Sequence, residues 1–267
     1  MRTNTVAAGA IIVVLLLGTG SPARAAEPID PALQQAIDSP GRTAKFAARD
    51  AARHPAEELT FFGLRPGQSV VEIWPEGGYW TEILAPYLRA NGKLYAATGG
   101  GKQDAEIHAK FDAAPAIYDQ VSVTELSPQT DQVAPDGSAD LVVTFRNLHN
   151  WLKAGSADTA LAAFYRALKP GGILGIEDHR ARADKPQDPQ ALSGYVREDY
   201  TIALAQKAGF ELVGSSEINA NPRDTTDWPK GVWTLPPTFT LGDADRDKYR
   251  AIGEADNFVL KFRKPAQ

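Results

Sequence analysis

The chain has 267 residues, with 28 basic and 33 acidic side chains, a formal charge of −5 and no cysteine. The acidic balance argues against nucleic acid or an anionic membrane surface as partner. The missing thiols exclude a disulfide framework and a lipid-attachment cysteine, so stability must come from an apolar core, which a chain of this length can supply in one large domain.

The first segment, "MRTNTVAAGAIIVVLLLGTGSPARA", sets Arg2 ahead of an apolar run from Val6 to Leu17 and closes on the small residues Ala23 and Ala25. That is the layout of a secretory signal peptide over 1–25, and the run is too short for a comfortable membrane span. Cleavage after Ala25 starts the mature chain at Ala26. Loss of Arg2 and Arg24 leaves 26 basic against 33 acidic side chains, a charge of −7. A periplasmic or secreted protein with no stable membrane insertion after signal removal is expected, its single domain covering 26–267.

Residues 26–64 read as a helical cap in which, after a Pro- and Ala-rich leader, "GRTAKFAARDAARHPAEELTFFGL" carries helical spacing, broken at Pro55 and stopped at Gly63. Arg49, Asp50, Arg53 and His54 crowd one part of it; such a helix face usually meets solvent, the other reading being a helix laid over a pocket mouth. Next, an apolar strand from Ser69 to Trp74 runs through a Gly-containing turn into the helix "YWTEILAPYLRANGK", stopped at Asn91 and Gly92. Strands and helices then alternate: "KLYAAT" strand, "KQDAEIHAKFDAA" helix, "QVSVTEL" strand, "ADLVVTF" strand, "ADTALAAFYRALKPGG" helix with a Gly stop, and "ILGIED" strand. "EDYTIALAQKAGF" reads as helix, "ELVGSSE" and "NFVLKF" as strands. Apolar strands alternating with amphipathic helices predict an α/β fold in three layers, with a mostly parallel sheet covered on both faces. Ligands of such sheets sit beyond the carboxyl ends of the strands.

In that order, "LRPGQSVVEIWPEGGYWTEILAPYL", "APDGSADLVVTFRNLHNW", "RALKPGGILGIEDH" and "AQKAGFELV" resemble the class I, S-adenosylmethionine-dependent methyltransferase family over Leu64 to Ser216. More narrowly, the chain resembles an exported group of predicted methyltransferases. The resemblance implies a Rossmann-like methyltransferase fold with a seven-stranded sheet, "NFVLKF" being its antiparallel strand, and S-adenosylmethionine as cofactor. It also implies site residues. Glu72 matches the acid that closes the first strand near the methionine amino group. The three loop glycines fall on Trp74, Glu76 and Gly78, with Gly77 beside the last; Trp and Glu in place of glycine should reshape the pocket. The acid that holds the ribose falls on Thr98, which cannot accept two hydroxyls as a carboxylate does. The acid near adenine falls around Pro128, with Asp131 as a displaced substitute. Glu76 could bond a cofactor amine or ribose hydroxyl, and Tyr79 with Trp80 could wall a flat ligand or merely fill space. Trp74 reads as a packing residue.

The richest polar cluster lies at the ends of the fourth and fifth strands, in "RNLHNW" and "EDHR". His149 or His179 could act as general base, with Asp178 orienting it. A structural reading pairs Asp178 with Arg180 and lets His149 cap a turn. The same two imidazoles and carboxylate are also a facial-triad ligand set, although consecutive strand residues point to opposite faces, so Asp178 and His179 should diverge and a metal is not favoured. Residues 218–240 hold Trp228 and Trp233 in a Pro-rich stretch that reads as an ordered lid or as a brace for the N-terminal helices. His108 belongs to a surface helix, and "GGGK" lacks P-loop spacing. Two functions follow: an exported enzyme transferring a methyl group from S-adenosylmethionine to a small-molecule acceptor, or a methyltransferase-fold binding protein or metal-dependent enzyme without that cofactor.

Overall fold

The computed structural model describes residues 28–266, so the signal-like segment lies outside the described residues. The elements run α1 (Pro31–Ile37), α2 (Ala44–Ala47), α3 (Asp50–Arg53), α4 (Pro55–Phe62), β1 (Ser69–Ile73), α5 (Thr81–Leu88), β2 (Lys93–Thr98), α6 (Gly101–Ala113), α7 (Pro115–Tyr118), β3 (Ser122–Glu125) and β4 (Ala139–Phe145). They continue with α8 (Leu148–Ala154), α9 (Ala157–Ala167), β5 (Leu168–His179), α10 (Glu198–Lys207), β6 (Glu211–Ser216), a 3-10 turn at Gly231–Thr234, α11 (Arg246–Ile252) and β7 (Asn257–Arg263). None of these helices is long and apolar enough to cross a membrane.

The seven strands form one sheet in the order β3-β2-β1-β4-β5-β7-β6. β1 to β5 pair in parallel, and β7 runs antiparallel between β5 and β6, so the sheet is mixed at one edge. Strand alternation sends Leu141 and Val143 to one face and Val142 to the other, and each face buries its own core against helices. One core holds α9 with Trp151 and Phe164, the other α1, α4 and α5. Gly175 lets α4 lie close on the sheet, because a Cβ there would meet the Phe62 ring at 2.6 Å.

Some elements differ from expectation. The helix expected to reach Gly172 ends at Ala167, and Leu168 to Gly172 open β5. Pro170 denies Lys169 the helical region, and Leu168 is already extended with ψ 139°. The short helix α11 was not foreseen, its turn-rich flanks hiding a brief period.

The N-terminal cap is fastened over the β1 corner. Arg42 makes two hydrogen bonds to Asp50 (2.6 and 2.9 Å), Asp50 accepts from the Tyr79 hydroxyl (2.6 Å), and the Thr43 N–H and hydroxyl both donate to Glu82 (2.8 and 2.6 Å).

Candidate functional site

A cleft of about 300 Å³ opens beyond the carboxyl ends of β4 and β5. His149, from the first turn of α8, and His179, the last residue of β5, line it with Asn150, and Val232, Trp233 and Pro236 to Thr238 line it from the opposite side. The stretch foreseen as a lid therefore borders the cleft, and Asn219 in the same stretch also braces α4 through Glu58 (2.8 Å).

Asp178 is fully buried and accepts three N–H groups: His149 Nδ1 (2.9 Å), the His149 backbone (3.0 Å) and the His179 backbone (2.7 Å). Burial opposes its charge, but its histidine partners outweigh that and hold the carboxyl below the ordinary range. An ionised Asp178 can only accept, so His149 carries its proton on Nδ1 and turns the Nε2 lone pair away from the carboxylate. His179 Nδ1 lies 2.7 Å from Asn257 Oδ1, and burial, with help from His149 and Arg146 against the pull of Asp178, pushes this imidazole down to about 3. It is neutral, with its rings 5.4 Å from those of His149.

The expected divergence of Asp178 and His179 does not occur. β5 ends at His179, whose own N–H folds onto the preceding carboxylate, and the potential ligand atoms of His149, Asp178 and His179 lie within 4.8 Å of one another. Both Asp178 oxygens are nevertheless engaged by N–H donors, which suits orientation of His149 better than ligation. The expected Asp178–Arg180 pair is also absent: Arg180 instead pairs with Glu217 (2.7 Å) and Asp256 (3.5 Å).

Three guanidiniums meet at the other wall. Arg49 holds Glu254 with two bonds of 2.7 and 2.6 Å, Arg146 reaches Glu254 at 3.2 Å and Glu177 at 3.8 Å, and Arg53 stands 3.8 Å from Glu254. Arg146 sits just after β4 with φ 60°, a left-handed conformation that turns it back over the site. Arg49 and Arg53 therefore line the cleft, as the pocket-mouth reading of this segment has it, whereas Asp50 and His54 do not. Beneath them, Asn219 donates to Glu58 (2.8 Å) and Glu177 (3.1 Å), and burial together with the charge of Glu177 holds Glu58 well above the ordinary carboxylate range. Glu254 was not foreseen. It precedes β7, and because that strand is antiparallel its beginning, rather than its end, arrives at the site.

The β1 corner is divided by Trp74. Trp74 and Glu76, both at φ 49°, occupy two of the expected glycine positions. The Trp74 Nε1–H donates to the Leu126 carbonyl (2.9 Å), its ring meets Trp151 edge-on at 5.5 Å, and Gly99 at the end of β2 lies against it. The indole thus separates a small cavity of about 90 Å³, lined by Glu72, Glu76, Gly77, Tyr79 and Arg53, from a hollow of about 500 Å³ lined by Leu126 to Asp131. Gly77 lies under the Phe46 ring and Gly78 under the Lys110 side chain, so a Cβ would meet them at 3.0 and 2.9 Å.

These residues fit S-adenosylmethionine at one end only. Glu72 is buried beside the small cavity, accepts from the Thr81 hydroxyl (2.7 Å) and leaves Oε1 without a partner, a place for a ligand ammonium. Burial raises its pKa to about 7 against that hydrogen bond. Tyr79 walls this cavity, but its hydroxyl is spent on Asp50. Thr98 is fully buried, donates its hydroxyl to Asp104 (3.1 Å) and lines neither cavity. Asp131 pairs with Arg166 (2.8 Å) on the far side of Trp74. A nucleoside has no continuous space until the indole leaves.

Residues 78–176 match the family model described as a methyltransferase domain. No curated protein sequence matches. Among solved structures, an S-adenosylmethionine-dependent methyltransferase from Aquifex aeolicus is similar at 18% identity and TM-score 0.56, covering 89% of this chain and all of that one. The [4+2]-cyclase SpnF is similar at 19% and 0.58, with 86% of each chain covered. A Burkholderia thailandensis 1,6-didemethyltoxoflavin N1-methyltransferase with bound S-adenosylhomocysteine is similar at 16% and 0.53, covering 83% and 81%. The chain thus has the Rossmann-like fold of the S-adenosylmethionine-dependent methyltransferases, with a methyltransferase-domain match across its centre.

Proposed function

We propose that the protein transfers a methyl group from S-adenosylmethionine to a small-molecule acceptor bound in the β4–β5 cleft, as an exported enzyme. The observation that carries this reading is the His149–Asp178 pair, its free imidazole nitrogen bordering a cleft where sheets of this kind place ligands. Acceptor deprotonation falls to His149 Nε2. Asp178 fixes the tautomer and stabilises the imidazolium as the proton arrives. His179, neutral and held by Asn257, can only accept a hydrogen bond from the acceptor through its own Nε2. When bound, the donor supplies the electrophilic methyl group, and Glu72 is the residue to hold its amino group. The domain match supports methyl transfer; the signal-like 1–25 segment supports export, which N-terminal sequencing of the protein recovered outside the cytoplasm tests.

Trp74 favours a second reading, in which His149 and Asp178 act on a small molecule without any nucleoside donor. Calorimetric titration with S-adenosylhomocysteine separates the two. Binding by the unaltered chain that is lost in Glu72→Ala supports methyl transfer, and binding only after Trp74→Gly supports the second reading. If neither protein binds, the donor claim falls.

A further inference from the structure

Among the described residues, Arg53 is a buried charged group without a hydrogen-bond partner. It is 5% exposed, yet no hydrogen bond to any of its N–H groups is found among the described residues, and its buried Nε has no partner. Among the described residues its one ion pair is with Glu254 at 3.8 Å, a carboxylate already bound on both oxygens by Arg49, and its guanidinium carbon lies 4.2 Å from the centre of the Tyr79 ring. Burial, then Arg146 and Arg49, push its pKa down to about 9 against Glu254 and Glu177. A guanidinium offers five donors in a rigid fork, and leaving them unused in the interior is costly unless something outside the chain takes them.

Arg53 also occupies a particular place. It lines both the 300 Å³ cleft beside His149 and the 90 Å³ cavity beside Glu72, as do Arg49, Arg146, Glu76 and Phe145. An anion set against Arg53 and Arg146 would hold one end of a ligand while the other end reaches the imidazole. A planar carboxylate matches the fork in two parallel bonds, and the neighbouring Glu76 and Glu254 disfavour a doubly charged group.

We infer that Arg53, with Arg146 beside it, forms a carboxylate-binding site shared by the cleft beside His149 and the cavity beside Glu72. The assignment rests on reading the cleft as the substrate site. The carboxylate can belong to an acceptor in the larger cleft or to an α-amino acid end lying beside Glu72, and the two sources are separable.

Calorimetric titrations with benzoate, uncharged benzamide, L-methionine and inorganic phosphate test the site on the purified chain and on Arg53→Gln and Arg53→Lys. The expected result is saturable binding of benzoate or L-methionine, no binding of benzamide, and a loss of about ten- to hundredfold in Arg53→Gln. Arg53→Lys should recover part of it, since charge returns without the fork. Stronger binding of benzoate assigns the site to the acceptor; stronger binding of L-methionine assigns it to the amino acid end. Arg53→Gln replaces an unsatisfied buried cation by a neutral group, so its melting temperature should stay near that of the unaltered chain. Binding unchanged in Arg53→Gln, tighter binding of phosphate than of either carboxylate, or no saturable binding at all overturns the inference. Retained carboxylate binding in His149→Gln without turnover would leave the anchor standing, and failure of S-adenosylhomocysteine to bind would strike the methyl donor alone.

Discussion

At the carboxyl edge of the sheet, the corner formed by β1, β2 and β3 is closed by Trp74, Phe46 and Lys110, whereas the corner formed by β4, β5 and the start of β7 holds an open cleft with three arginines and two histidines. Both corners lie beyond the carboxyl ends of parallel strands, and the second is completed by the start of the antiparallel β7. What differs is where side-chain bulk was placed: aromatic and aliphatic groups over the loop that follows β1, charged and titratable groups beyond β4 and β5. Polar chemistry has thus been concentrated beyond β4 and β5, while beyond β1 the Trp74 indole divides the space into a small cavity and a separate hollow. Fold alone predicts neither outcome.

The largest expected effect is at the open corner. His149→Gln should lower kcat on an accepted substrate by about 10²- to 10⁴-fold, the usual contribution of a positioned general base, and cost about 1–3 kcal/mol of stability because the buried Asp178 carboxylate loses its imidazole partner. Asp178→Asn should lower kcat as well, since the amide can stabilise the wrong tautomer, but it should also destabilise the fold by about 1–3 kcal/mol because three N–H donors lose part of their acceptor. Equal activity in His149→Gln would remove the open corner from the chemistry.

A smaller effect belongs to the closed corner. The folded pKa of Glu72, about 7, lies above its ordinary value of 4.5. Its contribution to stability is therefore whole below pH 4.5 and is lost as pH rises through 7, because the folded chain must then bury a bare carboxylate. Glu72→Gln should equal the unaltered chain in denaturant stability at low pH and exceed it at pH ~8 by up to about 3 kcal/mol. An unaltered difference across that range would mean that Oε1 is solvated or paired.

The smallest effect is expected at Asp131. Its pair with Arg166 is about two-fifths exposed on both sides, so Asp131→Asn should change stability by less than about 1 kcal/mol and leave ligand binding unaltered. A large loss of nucleoside binding in this variant would restore it as an adenine contact.

The alternation of apolar strands with amphipathic helices made the three-layer fold legible, and the carboxyl-end rule led directly to His149, Asp178 and His179. Their detailed roles were less accessible. Whether Asp178 and His179 diverge depends on where β5 stops, and strand period says nothing about its last residue. Arg53 was singled out in the sequence, but whether its helix met solvent or a pocket mouth was decided only by packing of the cap, and Glu254 escaped because it comes from the start of an antiparallel strand that reaches the cap only after folding. The closed groove was legible in part: Trp74 and Glu76 in glycine positions announced a changed loop. That Phe46 and Lys110 complete the closure follows from packing of the cap, which no local pattern encodes.

The most direct test of the contrast between the corners is the affinity of S-adenosylhomocysteine for the unaltered chain and for Trp74→Gly, measured side by side by calorimetry. An indole that must leave before a nucleoside can enter taxes binding, so the variant should bind at least about tenfold more tightly, equivalent to ~1.4 kcal/mol. Equal or weaker binding in Trp74→Gly, with the variant folded, would show that Trp74 does not occupy the nucleoside's place and would contradict the account.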